Sequence, residues 1–354
     1  MMDLNQLLTA MLEKKGSTLH LVAGSPPLIK LPDGTLSPLS PDPLSPAEVK
    51  STLENAIKPE QKELLVQNKA LTTAYSIEGL SRFRASLFYQ RGSMAGIFRL
   101  VVRNQATLDD LGLPPYLKEA TVKPQGLILI SGPRKSGKSQ TLAAVLDFLL
   151  STRHTEIVSL EEPIEFTLKN QQGIIYQREI GTDSPNFHEA VRVALRQNPD
   201  VLALSELPDS KSVMDILAAA TSGQLVILTP TANGVIIALE QLLNLVPVEQ
   251  QGLAKIQLAT GLEFGVSQLL LNKPGGGKTL VLEVLIPTPQ IRTYIREGKF
   301  PQIIGAMNAA LDSGMVSQEV SMKNLSKKNL INVDEAMALA ARPEDLKRLF
   351  SFQI

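Results

Sequence analysis

Gly132-Pro133-Arg134-Lys135-Ser136-Gly137-Lys138-Ser139 matches G-x-x-x-x-G-K-[ST] in full, and it stands between an apolar run and a helical stretch. No other feature of the chain restricts its folding as much. The two glycines let the backbone curl until successive N–H groups face one point, where the next helix adds the positive end of its dipole. Leu127-Ile128-Leu129-Ile130 reads as the strand before the loop, apolar throughout as in a parallel sheet covered on both faces. Leu142, Val145, Leu146 and Leu149 share one face of the helix after it. The pattern implies ATP and Mg²⁺ as cofactors, with Gly132, Pro133, Ser136, Gly137, Lys138, Ser139 and Gln140 as nucleotide-binding positions. Lys138 would reach the β- and γ-phosphates, and the Ser139 hydroxyl would hold the metal. Gly275-Gly276-Gly277-Lys278-Thr279 imitates this loop, but Asn272 stands where the first glycine belongs, so a hairpin turn is expected there.

Three more apolar runs, at residues 157–160, 201–204 and 225–228, have helical patterns between most of them, as in Val191 to Leu195 and Val213 to Ala220. Strands alternating with helices predict an α/β fold with a wound, mostly parallel sheet. After about residue 300 the pattern is helical. The first hundred residues read as a smaller α+β unit. Leu4, Leu7, Leu8, Met11 and Leu12 recur at helical spacing and stop at Gly16. Residues 19–22 and 28–31 are short strands, Pro32-Asp33-Gly34 is a turn, and residues 82–88 and 96–102 alternate. The expected division is an N-terminal domain over 1–102, a linker over 103–115 and an ATPase domain over 116–354.

Charge and composition narrow the function. Lys plus Arg and Asp plus Glu number 35 each, so no net positive field gathers nucleic acid. The chain has no Cys, which excludes disulfides, thiolate zinc sites, iron–sulfur clusters and thiol catalysis. His20, His154 and His188 are too far apart in sequence to suggest a metal site. The N-terminus lacks the basic and apolar stretches of a signal peptide, and no run approaches the ~20 apolar residues of a membrane span. A cytoplasmic protein is expected.

Hydrolysis needs a carboxylate to orient water, and in wound sheets it comes from the C-terminal end of a neighbouring strand. Glu206 ends the run 201–204, while Glu162 and Glu165 follow the run 157–160; these three are the candidate catalytic acids.

Together these segments resemble the PilT-type retraction ATPases of the type II/type IV secretion ATPase superfamily, over most of the chain. The motifs that carry the resemblance are residues 16–21 and 26–29 near the start, Arg82-Phe83-Arg84 and Phe98-Arg99, and the phosphate loop. Beyond them come Glu161-Glu162-Pro163-Ile164-Glu165-Phe166 at the family's Asp box, the Walker B stretch from Asn198 to Glu206, and the C-terminal motif from Thr288 to Glu297. The resemblance implies a RecA-like P-loop domain with a helical C-terminal extension, preceded by a PAS-like α+β domain. It also implies a homo-hexameric ring with ATP between subunits, into which Arg82, Arg84 and Arg99 would reach from the neighbouring copy. The implied role is type IV pilus retraction at the inner-membrane base of the pilus machine. The implied partners are an inner-membrane platform protein and a second PilT-type ATPase.

Several positions depart from that family. Glu162 stands for Asp, Lys135 for the mid-loop glycine, Ser205 for the glycine before the Walker B glutamate, and Pro208 for an arginine after it. Gln224 and Thr231 replace the two histidines of the His box, which the resemblance implies stand near the γ-phosphate, removing imidazoles able to change charge with nucleotide state. Two readings therefore stand: an ATP-driven motor with ordinary or reduced turnover, and a nucleotide-binding subunit that regulates an active motor without hydrolysing. A nucleic-acid translocase is a third, opposed by the neutral charge and the lack of a basic, aromatic-laced stripe.

Overall fold

The alternating segments of the first hundred residues form one antiparallel sheet in the computed structural model, which describes residues 3–31, 34–101, 106–207 and 209–351. The expected Pro32-Asp33 turn, the start of the linker (Arg103 to Gln105) and Pro208 lie outside the described residues. The chain divides into two units, Met1–Asn104 and Gln105–Ile354. The first contains α1 (Leu4–Glu13), β1 (Thr18–Val22), β2 (Leu28–Lys30), β3 (Leu36–Pro38), α2 (Pro46–Glu54), α3 (Pro59–Asn68), β4 (Ala70–Ile77), β5 (Ser81–Gln90) and β6 (Ser93–Val101). Its strands run in the order β3-β2-β1-β6-β5-β4.

Period-2 alternation decides which face of that sheet is covered. Phe83, Ala85 and Leu87 of β5 and Met94 and Phe98 of β6 are buried against Leu8 and Met11 of α1 and Leu53 of α2. A Cβ at Gly96 would lie 2.5 Å from Leu53 Cδ2, so α2 can sit this close only over glycine. Helix α2 starts where Ser45 and Glu48 close a reciprocal capping box ahead of Pro46. Arg82, Arg84 and Arg99 point to the opposite face. Arg84 and Arg99 are directly opposed across β5 and β6, with Arg82 two residues along.

The second unit begins with α4 (Tyr116–Thr121), β7 (Gly126–Ser131), α5 (Lys138–Thr152), β8 (Glu156–Glu161), β9 (Ile174–Glu179), α6 (Phe187–Gln197) and β10 (Val201–Leu204). It continues through α7 (Val213–Thr221), β11 (Leu225–Leu228), α8 (Val235–Asn244), α9 (Gln251–Gly261), β12 (Leu262–Asn272) and β13 (Lys278–Leu285). Five helices close the chain: α10 (Pro289–Glu297), α11 (Phe300–Ala309), α12 (Gln318–Lys327), α13 (Val333–Leu339) and α14 (Pro343–Ser351). The seven strands run β13-β12-β7-β11-β10-β8-β9, parallel except for the last edge strand, β13. Leu127 and Leu129 face α7, α8 and α9 on one side, and Ile128 and Ile130 face α4 and α5 on the other. Burial on both faces is why these strands read as unbroken apolar runs. The glycine triplet is the expected hairpin turn: Gly275, Gly276 and Gly277 all have positive φ, and the Lys273 amide donates to the Gly277 carbonyl at 3.0 Å.

The C-terminal motif is α10, started by the Thr288 side chain, which accepts from the Ile291 amide, and ended by left-handed Gly298. Its Arg292 donates to the Ala259 and Thr260 carbonyls at 2.6 and 2.9 Å, satisfying the end of α9. Farther on, α12, α13 and α14 pack over the β12–β13 hairpin through Met322, Ala336 and Leu346. A buried charge cluster ties them down. Arg342 lies 2.7 Å from Glu283 of β13 and 2.8 Å from Glu319 of α12, while Glu283 also accepts from the Val235 amide that starts α8. Glu283 is 0% exposed and Glu319 2%. Removing one member of such a cluster strands charge in the interior. Arg342→Ala is expected to destabilise the protein by about 3–5 kcal/mol in denaturant unfolding, far beyond the loss from truncating an exposed arginine such as Arg348.

Candidate functional site

The phosphate loop leaves the C-terminal end of β7 and enters α5 without a side-chain cap. Gly132 and Gly137 have φ of 155° and 94°. A Cβ at Gly132 would stand 2.4 Å from both the Gln268 carbonyl oxygen and Ser136 Oγ, so the first turn of the loop runs hard against β12. Lys135, in the place of the family's mid-loop glycine, keeps the left-handed conformation with φ 66°. That backbone costs a residue with a Cβ roughly 1–2 kcal/mol, and here the loop imposes it. Lys138 Nζ donates to the Gly132 and Pro133 carbonyls at 2.6 and 3.1 Å.

This cradle suits phosphate. Ser136 Oγ is buried without a protein partner among the described residues, and the first amides of α5 open at the same place. Ser139 and Gln140 follow on the first turn, both half-buried. The Ser139 hydroxyl is an oxygen donor of the kind Mg²⁺ takes.

The acids arrive from the segments that follow β10 and β8. Burial pushes the Lys138 ammonium's pKa down, the charges of Glu206 and Glu165 oppose that shift, and Arg134 adds to it. Glu206 and Glu165 therefore act electrostatically on the phosphate-loop lysine, and both side chains are exposed. Glu162 stands exposed at the end of β8, and its backbone amide donates to Ser205 Oγ at 3.0 Å. The hydroxyl at position 205, where the family has glycine, thus stitches the Walker B turn to the loop after β8. The arginines Arg82, Arg84 and Arg99 belong to the other unit, and Arg84 Nε has no hydrogen-bond partner among the described residues.

Gln224 does not stand near the phosphates. It precedes β11, its carbonyl accepts from the Gly126 amide at 3.1 Å, and β7 runs on from that point to Ser131 before the loop begins. Parallel pairing of β7 with β11 puts Gln224 at the opposite end of the sheet from the loop. There its buried side chain donates to the Pro199 carbonyl at 3.1 Å. Thr231, after β11, is on the loop's end of the sheet and exposed.

The structure adds residues that motif reading passed over. Glu161 is buried at the end of β8, accepting from Ser159 Oγ at 2.8 Å and Gln177 Nε2 at 2.9 Å. Burial raises its carboxyl pKa to about 7 against the pull of those bonds. A side chain of that kind beside a run of acids is visible in the sequence, but only strand pairing with β9 shows that it is interior.

Residues 95–275 match the model of the type II/IV secretion system protein family. The type IV pilus retraction ATPase PilT of Pseudomonas aeruginosa is 32% identical across 97% of this chain and 100% of its own length. The chain belongs to the PilT-like type II/IV secretion ATPase family. Another member from the same organism, the type IV pilus ATPase PilU, is 33% identical over 98% of this chain and 91% of PilU. The crystal structure of the pilus retraction motor PilT with bound ADP superimposes with a TM-score of 0.91 at 34% identity, covering 98% of this chain and 100% of that one. The PilT-like fold thus extends through both units.

Glu161 makes stability depend on pH. A carboxyl whose folded pKa is raised from 4.5 to about 7 stabilises the fold fully below about pH 4.5, and the contribution disappears as pH rises through 7. Glu161→Gln, which keeps an acceptor for Ser159 and Gln177, is expected to be the more stable protein at pH 8 by about 3 kcal/mol. Urea unfolding at pH 5 and pH 8 measures the change in that difference.

Proposed function

We propose that this protein is an ATPase that powers type IV pilus retraction, working as a homo-hexameric ring with Mg-ATP at its phosphate loop. The observation that carries this reading is the phosphate cradle, with Ser136 Oγ buried without a protein partner among the described residues and Lys138 folded onto the loop carbonyls, in a chain that aligns with PilT over 97% of its length. Gly132, Pro133, Ser136, Gly137, Lys138, Ser139 and Gln140 hold the phosphates, with Ser139 on the metal. Mg²⁺ held by Ser139 would supply charge neutralisation for the phosphates. Glu206 accepts the proton of the attacking water, and Glu165 orients that water. Glu162 supports the same loop. Arg82, Arg84 and Arg99 carry positive charge to the nucleotide of the adjacent copy, an effect worth about 10³–10⁵ in rate in other P-loop enzymes. Work is delivered to a platform protein in the inner membrane, beside a second PilT-type ATPase, by a ring held peripherally on the cytoplasmic side. No helix among the described residues is long and apolar enough to cross a membrane.

Gln224 does not weaken this reading, because it serves the far end of the sheet. Only Thr231 removes an imidazole from the phosphate end. Steady-state ATP hydrolysis with Mg²⁺ tests the proposal. Lys138→Ala and Glu206→Ala are each expected to lower turnover by about 10²-fold or more, the scale seen when one charge-stabilising group is removed. A wild-type ring that binds nucleotide through Lys138 but does not turn it over would instead be a regulatory subunit, and the motor reading would fall.

A further inference from the structure

We propose that Gln177 is a positioning residue for Glu165, fixing the backbone on its C-terminal side so that its carboxylate meets the phosphate loop. The chain between β8 and β9 has little regular structure, and Glu165 sits in it with an exposed side chain. An exposed carboxylate on an irregular segment is held only as well as its backbone. Here β9 holds it. The amide before Glu165, that of Ile164, donates to buried Glu179 at 3.2 Å. The carbonyl after it, that of Phe166, accepts from Gln177 Nε2 at 2.8 Å, and the Leu168 amide donates to Gln177 Oε1 at 2.9 Å. The same Nε2 donates to Glu161 at 2.9 Å, anchoring the amide to the end of β8.

Side-chain chemistry explains why glutamine serves here. Its amide donates twice and accepts through one oxygen, and those capacities meet two acceptors, Glu161 and Phe166, and one donor, Leu168. An ionised glutamate could not donate and would set a second carboxylate against Glu161. Leucine could make none of the three bonds. Parallel pairing sets the register, with Gln177 opposite Ser159 and Glu179 opposite Glu161, so two alternate residues of one strand grip the Glu165 segment on both sides. Among the described residues, the hydrogen bonds of the Gln177 side chain go to Glu161, Phe166 and Leu168, none of them in the phosphate loop. Its influence on hydrolysis passes through Glu165.

The proposal rests on Glu165 acting in hydrolysis, so the experiment measures both. Gln177→Leu, Gln177→Glu, Glu165→Ala and the double variant Gln177→Leu/Glu165→Ala are compared in the full-length protein for kcat, KM and fluorescent ATP-analogue binding. Misplacement of a catalytic group by about 1 Å costs on the order of 10²-fold. Gln177→Leu and Gln177→Glu are expected to lower kcat between about tenfold and about 10²-fold while KM and nucleotide affinity hold within about twofold. In the Glu165→Ala background, Gln177→Leu is expected to change the residual rate by less than about twofold, since the residue it positions is gone. The isosteric Gln177→Glu supplies the comparison if the leucine variant does not fold. Unchanged kcat in the Gln177 variants, a loss confined to KM and affinity, or a multiplicative loss in the double variant would each overturn the proposal. Wild-type turnover in Glu165→Ala would overturn the role given to Glu165 itself, and the proposal with it.

Discussion

The contact of Gly132 with β12 is the constraint on which the site depends. Because no Cβ fits between that residue, the Gln268 carbonyl and Ser136, only glycine lets the chain leave β7 this close to β12 on its way into α5. The turn is held from below by a sheet buried on both faces, whose strands cannot shift without breaking two cores together. Lys135 shows how firmly the shape is imposed, since a residue with a Cβ is kept in a conformation that glycine takes more readily.

Around this rigid cradle the acids are supported by neighbours rather than by their own strands alone. Glu206 follows a short, fully buried strand, and Ser205 before it bonds to the loop after β8. Glu165 has no strand of its own and depends on Glu179 and Gln177 of β9. Buried polar groups are costly unless satisfied, so a lattice of this kind sets geometry more than it adds stability. Glu161 illustrates the point: its carboxyl is interior, bonded twice, and still held near neutrality in its titration.

The helices after β13 join the same scaffold from the other edge. Glu283 starts α8 through the Val235 amide and pairs with Arg342, which reaches Glu319 on α12. Asn233, two residues beyond Thr231, accepts from Gln318 and donates to the Leu339 carbonyl. The segment after β11 is thereby continuous, through hydrogen bonds, with the C-terminal helices.

By itself the sequence determined the phosphate loop, the central strands and the two-part character of the chain. Those signals are local: a glycine spacing, unbroken apolar runs such as Leu127 to Ile130, and alternation in residues 82–88. The PilT-like family was legible in the same way, because its motifs are short and ordered along the chain. The tertiary structure decided what depends on pairing across distance. Ile174 to Glu179 offers only the brief Ile174-Ile175-Tyr176 as a strand signal, since an edge strand with mixed exposure neither alternates cleanly nor stays apolar, and β9 is placed only by its pairing with β8. Gln177 and Glu161 gained their places from that pairing. Gln224 lost its expected place for the same reason, because a motif read along the chain does not say that its two ends lie at opposite ends of a parallel strand.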